Sequence, residues 1–275
     1  MAWTYHNKPP MGWPLDLSEP INDGIAGYWL LNEGSGNKVF DLSGNGYHST
    51  SFTSSPLWKP GKYGSSLWFD DTDDHINFAD ILGAQTDRTI EALIYLDNVT
   101  SDHCIISKAD SAGNTGSWTF FFDDVGSQSS NTDRVAFISF LSSNAAEWPW
   151  IETSQLVANR WYHIAVVQRQ GVSLDIYVNG VSDKSWSQNE TGTSALVAAG
   201  ENVMIGEVGF GGDDFGGNIE FVRFWNRALS ASEIALLYRF PFYGFLNPDE
   251  EAVLDQYYSV GVPIMTYHYK QAGGL

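Results

Sequence analysis

The chain has 275 residues, 43% hydrophobic and 15% aromatic, enough for one large core with a small appendage. A formal charge of −19 repels phosphate backbones and anionic lipid surfaces, which argues against nucleic-acid partners and leaves cations or neutral ligands. One cysteine, Cys104, excludes an intramolecular disulfide and a thiolate-rich zinc site.

In chain order, residues 1–22 carry Pro9, Pro10, Pro14 and Pro20 and read as an extended arm, because proline donates no backbone hydrogen bond and restricts its predecessor. The opening MAWTYHNKPPMGWPLDL lacks a basic start followed by an apolar run, so no signal peptide is expected. No stretch approaches the ~20 apolar residues that span a bilayer, so no membrane insertion is expected either.

The stretch DLSGNGYHST, from Asp41 to Thr50, leaves two readings open. A Gly-rich turn can aim carbonyls at a hard cation such as calcium, with Asp41 adding a carboxylate and Asn45, Tyr47 or Gly217 a carbonyl. Alternatively Asp41 closes an Asx-turn on backbone amides two residues on. His48 beside Asp41 invites acid–base chemistry. Yet no serine sits in a nucleophile elbow, and the six histidines show no HExxH spacing.

From about Gly24 to Leu237 short apolar runs recur: SSLWFD, TIEALIYL, CIISK, WTFFFD, VAFISFL, NVMIGE and NIEFVRFW. WYHIAVVQR and the alternating SLDIYVNG form an antiparallel pair, and Asn179-Gly180 carries a type I′ turn signal. Many strands without intervening helices predict an all-β, two-sheet antiparallel sandwich. The acidic FDDTDDH reads as a solvated turn, with cation binding second. Cys104 reads as a small buried residue. Ser230 and Glu233 form a capping box ahead of IALLY. A second helix is expected from Asn247 to about Tyr257, and a strand over VPIMTYHY.

Sugar sites stack an aromatic face on a ring and surround it with amides and carboxylates. Trp148 and Trp150, flanking Pro149 in a polar loop, and Trp186 in DKSWSQNE are the glycan-binding candidates. The alternative is that each plugs an end of the sandwich or meets a neighbouring chain. Trp29, Trp68, Trp161 and Trp225 lie in strand patterns and read as packing residues.

Four stretches in order, GIAGYWLLNEGSGNKVFDLSGNGYHST, KYGSSLWFDDTDDHINF, RWYHIAVVQRQGVSLDIYVNG and GGNIEFVRFWNRALSASEIALLY, resemble the laminin-G-like, concanavalin A-like domain family. The resemblance spans about residues 24–239 and implies a jelly-roll sandwich of two curved sheets. It also implies a structural calcium between the first loop and the late strand, with Asp41 and Glu220 as ligands. Glu220, in GGNIEFV, stands where the family usually has Asp. Glucanases of this fold carry paired acids in an ExDxxE-like order, and this chain shows only Glu220 followed by Phe221, Val222 and Arg223. No enzyme is therefore expected.

The Pro-rich opening and the run into LLYRFPF are similar to virion-associated proteins of tailed phages. The expected organisation is an N-terminal arm (1–22), a laminin-G-like sandwich (23–239) and a C-terminal extension (240–275). The flanks would attach the module to virion proteins or to its own copies as a homo-oligomer, burying Phe240, Phe242, Tyr243 and Phe245 against another chain. The expected role is a non-enzymatic, glycan-binding or adhesive module made in a host cytoplasm and carried on a phage particle, as a decoration, head fibre or tail-associated protein. A carbohydrate-active enzyme or its binding module, and a purely structural virion protein, are the alternatives.

Overall fold

A computed structural model describes residues 6–83, 87–109, 117–124, 132–139, 150–184, 186–188, 200–209 and 211–246. Its strands run β1 (Ile25–Trp29), β2 (Ser51–Thr53), β3 (Leu57–Pro60), β4 (Ser65–Asp70), β5 (His75–Asn77), β6 (Asp87–Leu96), β7 (His103–Lys108), β8 (Trp118–Asp123), β9 (Arg134–Ser139) and β10 (Trp150–Glu152). They continue as β11 (Trp161–Arg169), β12 (Ser173–Val178), β13 (Val181–Ser182), β14 (Trp186–Gln188), β15 (Met204–Ile205) and β16 (Gly216–Trp225), before helix α1 (Ala231–Arg239).

Two antiparallel sheets face each other. The first runs β13-β12-β11-β6-β16-β4-β3, with β1 added to β16; the second runs β14-β10-β9-β8-β7-β15-β5-β2. Each apolar run of the sequence supplies one strand. Asn179 and Gly180 both have positive φ, as a type I′ turn demands, and they join β12 to β13. Between the sheets, Leu67, Phe69, Ile94 and Ile219 meet Phe120, Phe122, Phe137 and Ile151.

The first sheet is also buried over much of its outer face. Leu93, Ala165, Val167, Phe221 and Trp225 pack there against Ile234 and Leu237 of α1 and against Leu15, Ile21, Phe242 and Phe245 from the flanks. Burial on both faces explains why TIEALIYL and WYHIAVVQR read as nearly unbroken apolar runs instead of alternating. Helix α1 begins at the expected capping box, where Ser230 accepts from the Glu233 amide and the Glu233 carboxylate accepts from the Ser230 amide.

This packing corrects the expected destination of the flank aromatics. Phe240, Phe242 and Phe245 are buried within their own chain, and Tyr243 packs against the same cluster. The arm and the tail are tied together as well, because the Asp16 amide donates to Gly244 O and the Leu246 amide to Pro14 O. The expected helix from Asn247 and the strand over residues 262–269 lie outside the described residues.

Candidate functional site

Asp41 lies in an isolated bridge to Trp29. Its Oδ1 accepts from the Tyr28 and Ser43 amides, and its Oδ2 from the Ser43 hydroxyl and the Tyr47 amide, all within 2.8–3.0 Å. A carboxylate has about four lone-pair directions, and here four donors fill them. Glu220 stands at a β-bulge of β16, between Ile219 and Phe221. Its Oε2 accepts from the Lys62 amide at 2.6 Å and its Oε1 from the Tyr63 amide at 2.7 Å. Gly61 permits this cradle, since a Cβ there would come within 2.8 Å of the Glu220 carboxylate. The nearby cation is the Lys8 ammonium, 3.9 Å from Glu220 Oε1. These residues do not fit a calcium shared by Asp41 and Glu220. The first carboxylate is saturated by donors, and the second already faces a positive charge.

Another arrangement comes from sheet register. Trp68 of β4 pairs with Asn218 of β16, Asn218 with Tyr95 of β6, and Tyr95 with Trp161 of β11. Their neighbours Leu67, Phe69, Ile94, Leu96, Tyr162 and Ile219 all point into the core. The four side chains therefore share the outer face, in one row across four strands. All four are only partly buried, because the row lies where the cover of helix and flanks stops. Leu57 of β3 pairs with Trp68 and extends the row, half exposed to solvent.

Polar groups fix the rings. Trp68 Nε1 donates to Asp97 Oδ2 at 2.7 Å, and the Lys59 ammonium lies 3.3 Å from the Trp68 ring centre. Tyr95 and Trp161 have ring centres 5.5 Å apart at 53°, and the Tyr95 hydroxyl donates to Asn159 Oδ1 at 3.3 Å. Asn218 Nδ2 donates to Ser66 Oγ at 2.9 Å, which holds the amide on this face beside Trp68. With strands about 4.8 Å apart, the row from Trp68 to Trp161 spans roughly 14 Å.

Beyond Asp70, where β4 ends, the acidic loop turns. Side-chain oxygens of Asp70, Asp73 and Asp74 lie within 4.8 Å of one another. Burial first, and then the charges of Asp70 and Asp73, push the Asp74 carboxyl up to about 6. Burial, Glu207 and Asp73 do the same to Asp214. The loop is an acidic border to the aromatic row.

Of the sequence-chosen glycan residues, Trp148 lies outside the described residues. Trp150 and Trp186 occupy β10 and β14 at the edge of the second sheet, where Trp150 pairs with Gln188 and Trp186 with Glu152; their side chains are outside the described set. Trp29 and Trp225 are core residues as read. Trp68 is only partly buried, whereas Trp161, also partly buried, packs against the outer-face cluster as read. Strand patterning placed them on a sheet without saying which face, and the pairing that aligns them with Tyr95 is long-range.

A family model described as the concanavalin A-like lectin/glucanases superfamily (Laminin_G_3) matches residues 70–235. The chain belongs to that superfamily. No curated protein matches it. Among solved structures, domain 4 of AbnA, a GH43 extracellular arabinanase from Geobacillus stearothermophilus in complex with arabinotriose, is 15% identical at TM-score 0.53, covering 78% of this chain and 98% of that one. The binding domain of Paraclostridial Mosquitocidal Protein 1 is 16% identical at TM-score 0.60, over 81% of this chain and 53% of that one. A botulinum neurotoxin type C structure, whose cell entry depends on two ganglioside molecules, is 13% identical at TM-score 0.59, over 80% and 51%. The chain thus spans about half of each toxin structure. At these identities the likeness is one of fold.

Proposed function

We propose that this superfamily member is a non-catalytic glycan-binding module, and that it binds through the outer-face row of Trp68, Asn218, Tyr95 and Trp161. The observation that carries this reading is the row itself: three aromatic side chains and an amide, held by register across four strands and left partly open. Apolar sugar faces stack on such rings, and the amide and Asp97 meet hydroxyls. Fold relatives that bind arabinotriose and gangliosides support the class of ligand. The acidic loop at Asp70–Asp74 and the charge of −19 favour a neutral chain, about a trisaccharide long, over a sulfated or sialylated one. A single site of this kind is weak, and many copies on one surface, such as a phage particle, supply the avidity.

The test is affinity electrophoresis through neutral and anionic polysaccharides. The wild-type chain is expected to be retarded by a neutral one. The triple variant Trp68→Ala, Tyr95→Ala, Trp161→Ala should lose on the order of 100-fold in affinity, at about 1 kcal/mol per ring, while circular dichroism reports the intact sandwich. Retardation that survives in a folded triple variant moves the site elsewhere. No retardation in any polysaccharide removes the glycan reading.

A further inference from the structure

Along one edge of β16, β4 pairs with residues 216–219 and β1 with residues 222–225. Between them the ladder is interrupted at Glu220, and β1 ends at Trp29. Carbonyls at such a junction lose their strand partners, and buried carbonyls need donors. One side chain supplies them. Lys8 Nζ donates to Leu30 O at 2.7 Å, Leu31 O at 3.1 Å, Glu220 O at 2.7 Å and Ser65 O. Leu31 takes a left-handed φ of 52° there, a conformation unusual for leucine.

An ammonium has three protons, and four carbonyls surround this one with the Glu220 carboxylate behind them. The Lys8 and Glu220 side chains are 5% and 0% exposed. Oxygen-only surroundings, several carbonyls and one carboxylate are what a hard inorganic cation requires. The arm is held at the same point by the Lys8 amide, which donates to Tyr63 O, and by Asn32 Nδ2, which donates to Pro9 O.

We propose that the Lys8 ammonium is the resident cation of a hard-cation site at the β1–β4 junction, and that the site takes calcium or potassium once that ammonium is removed. Burial pulls the Lys8 ammonium down to about 7, against the opposing pull of Glu220 and Glu33.

The experiment compares melting of the full chain and of Lys8→Ala in millimolar calcium chloride, in potassium chloride, and in tetramethylammonium chloride of equal ionic strength. The large organic cation controls for screening. Wild type should melt alike in all three. Lys8→Ala should melt lower than wild type, and calcium or potassium should raise it by about 5 °C over the control, as expected for a ligand held only by the folded state. Adding Glu220→Gln should abolish that gain. A Lys8→Ala protein that melts alike in all three salts overturns the proposal. Should Lys8→Ala fold only in calcium, that itself supports the site. Should it fold in none, Lys8→Gln, whose amide meets part of the cage, replaces it under the same comparison, and equal melting again overturns the proposal.

Discussion

Arg223 Nη1 on β16 lies 3.1 Å from the Glu91 carboxylate on β6, and neither side chain reaches solvent. The pair forms the centre of a network. His163 Nε2 is 2.7 Å from the other Glu91 oxygen, while Arg223 Nη2 donates to the Tyr28 hydroxyl at 2.7 Å and to Pro241 O. Burial alone would raise the Glu91 carboxyl, but Arg223 and then His163 more than reverse it. The network ties β1, β6, β11, β16 and the first residues of the tail into one polar layer, set between the sheet and α1.

Removing one partner of such a pair leaves a buried charge without compensation. Glu91→Ala should therefore cost about 3–5 kcal/mol, read by urea denaturation. The double variant Glu91→Leu, Arg223→Met should recover much of that loss, because the second charge leaves with the first. A Glu91→Ala protein as stable as wild type would mean that water enters the layer.

Asp41 makes a second prediction, at lower cost. In Asp41→Asn one oxygen becomes an amide that donates, facing donors it cannot satisfy. The loss is about 1–3 kcal/mol, and calorimetry should find it unchanged by a chelator. The wild-type melting curve should likewise ignore the chelator, since Asp41 already meets four protein donors. A chelator-dependent wild-type curve would show a metal at this loop.

The acidic loop gives a pH dependence. Unfolded Asp74 titrates near 3.8, and in the folded chain burial with Asp70 and Asp73 raises it to about 6. Between these values the folded state holds the proton that the unfolded state has released. Stability is thus favoured below about pH 4 and falls as pH rises through 6, the reverse of an ion-paired carboxylate. Asp74→Asn should flatten that fall and raise the melting temperature at pH 7. Equal slopes for wild type and variant between pH 4 and 6 would refute the assignment.

What the sequence carried and what it withheld follow from the range of each interaction. The capping box at Ser230 and Glu233 spans three residues, and the Asn179-Gly180 turn two, so both were legible. The Asp41 loop was legible only as a choice between a cation loop and an Asx-turn, and its carboxylate bonds mostly within its own turn. Strand existence was legible from apolar runs, but on β6 and β11 double burial erased the alternation that reveals facing. Tyr95 and Trp161 on one outer row could not be seen without the pairing of Trp161 with Tyr95 across 66 positions. The same holds for Lys8. Nothing in HNKPP announces that its ammonium ends beside Glu220, since that contact depends on a bulge more than two hundred residues away.

The last prediction concerns Lys59, whose ammonium covers the Trp68 ring at 3.3 Å. A sugar stacking on that face must displace it. A cation over an exposed ring is worth about 0.5–1 kcal/mol, so Lys59→Ala should bind a neutral glycan roughly two- to fivefold more tightly. The direction is the opposite of what loss of a contact residue ordinarily does, which makes it a sharp test of where the ligand lies. An anionic glycan should respond the other way, because Lys59 is the cation seen over the row and an acidic loop adjoins it. Isothermal titration of both ligands against wild type and Lys59→Ala separates the cases. Weaker binding of the neutral glycan in the variant would place Lys59 in contact with the sugar instead of in its way.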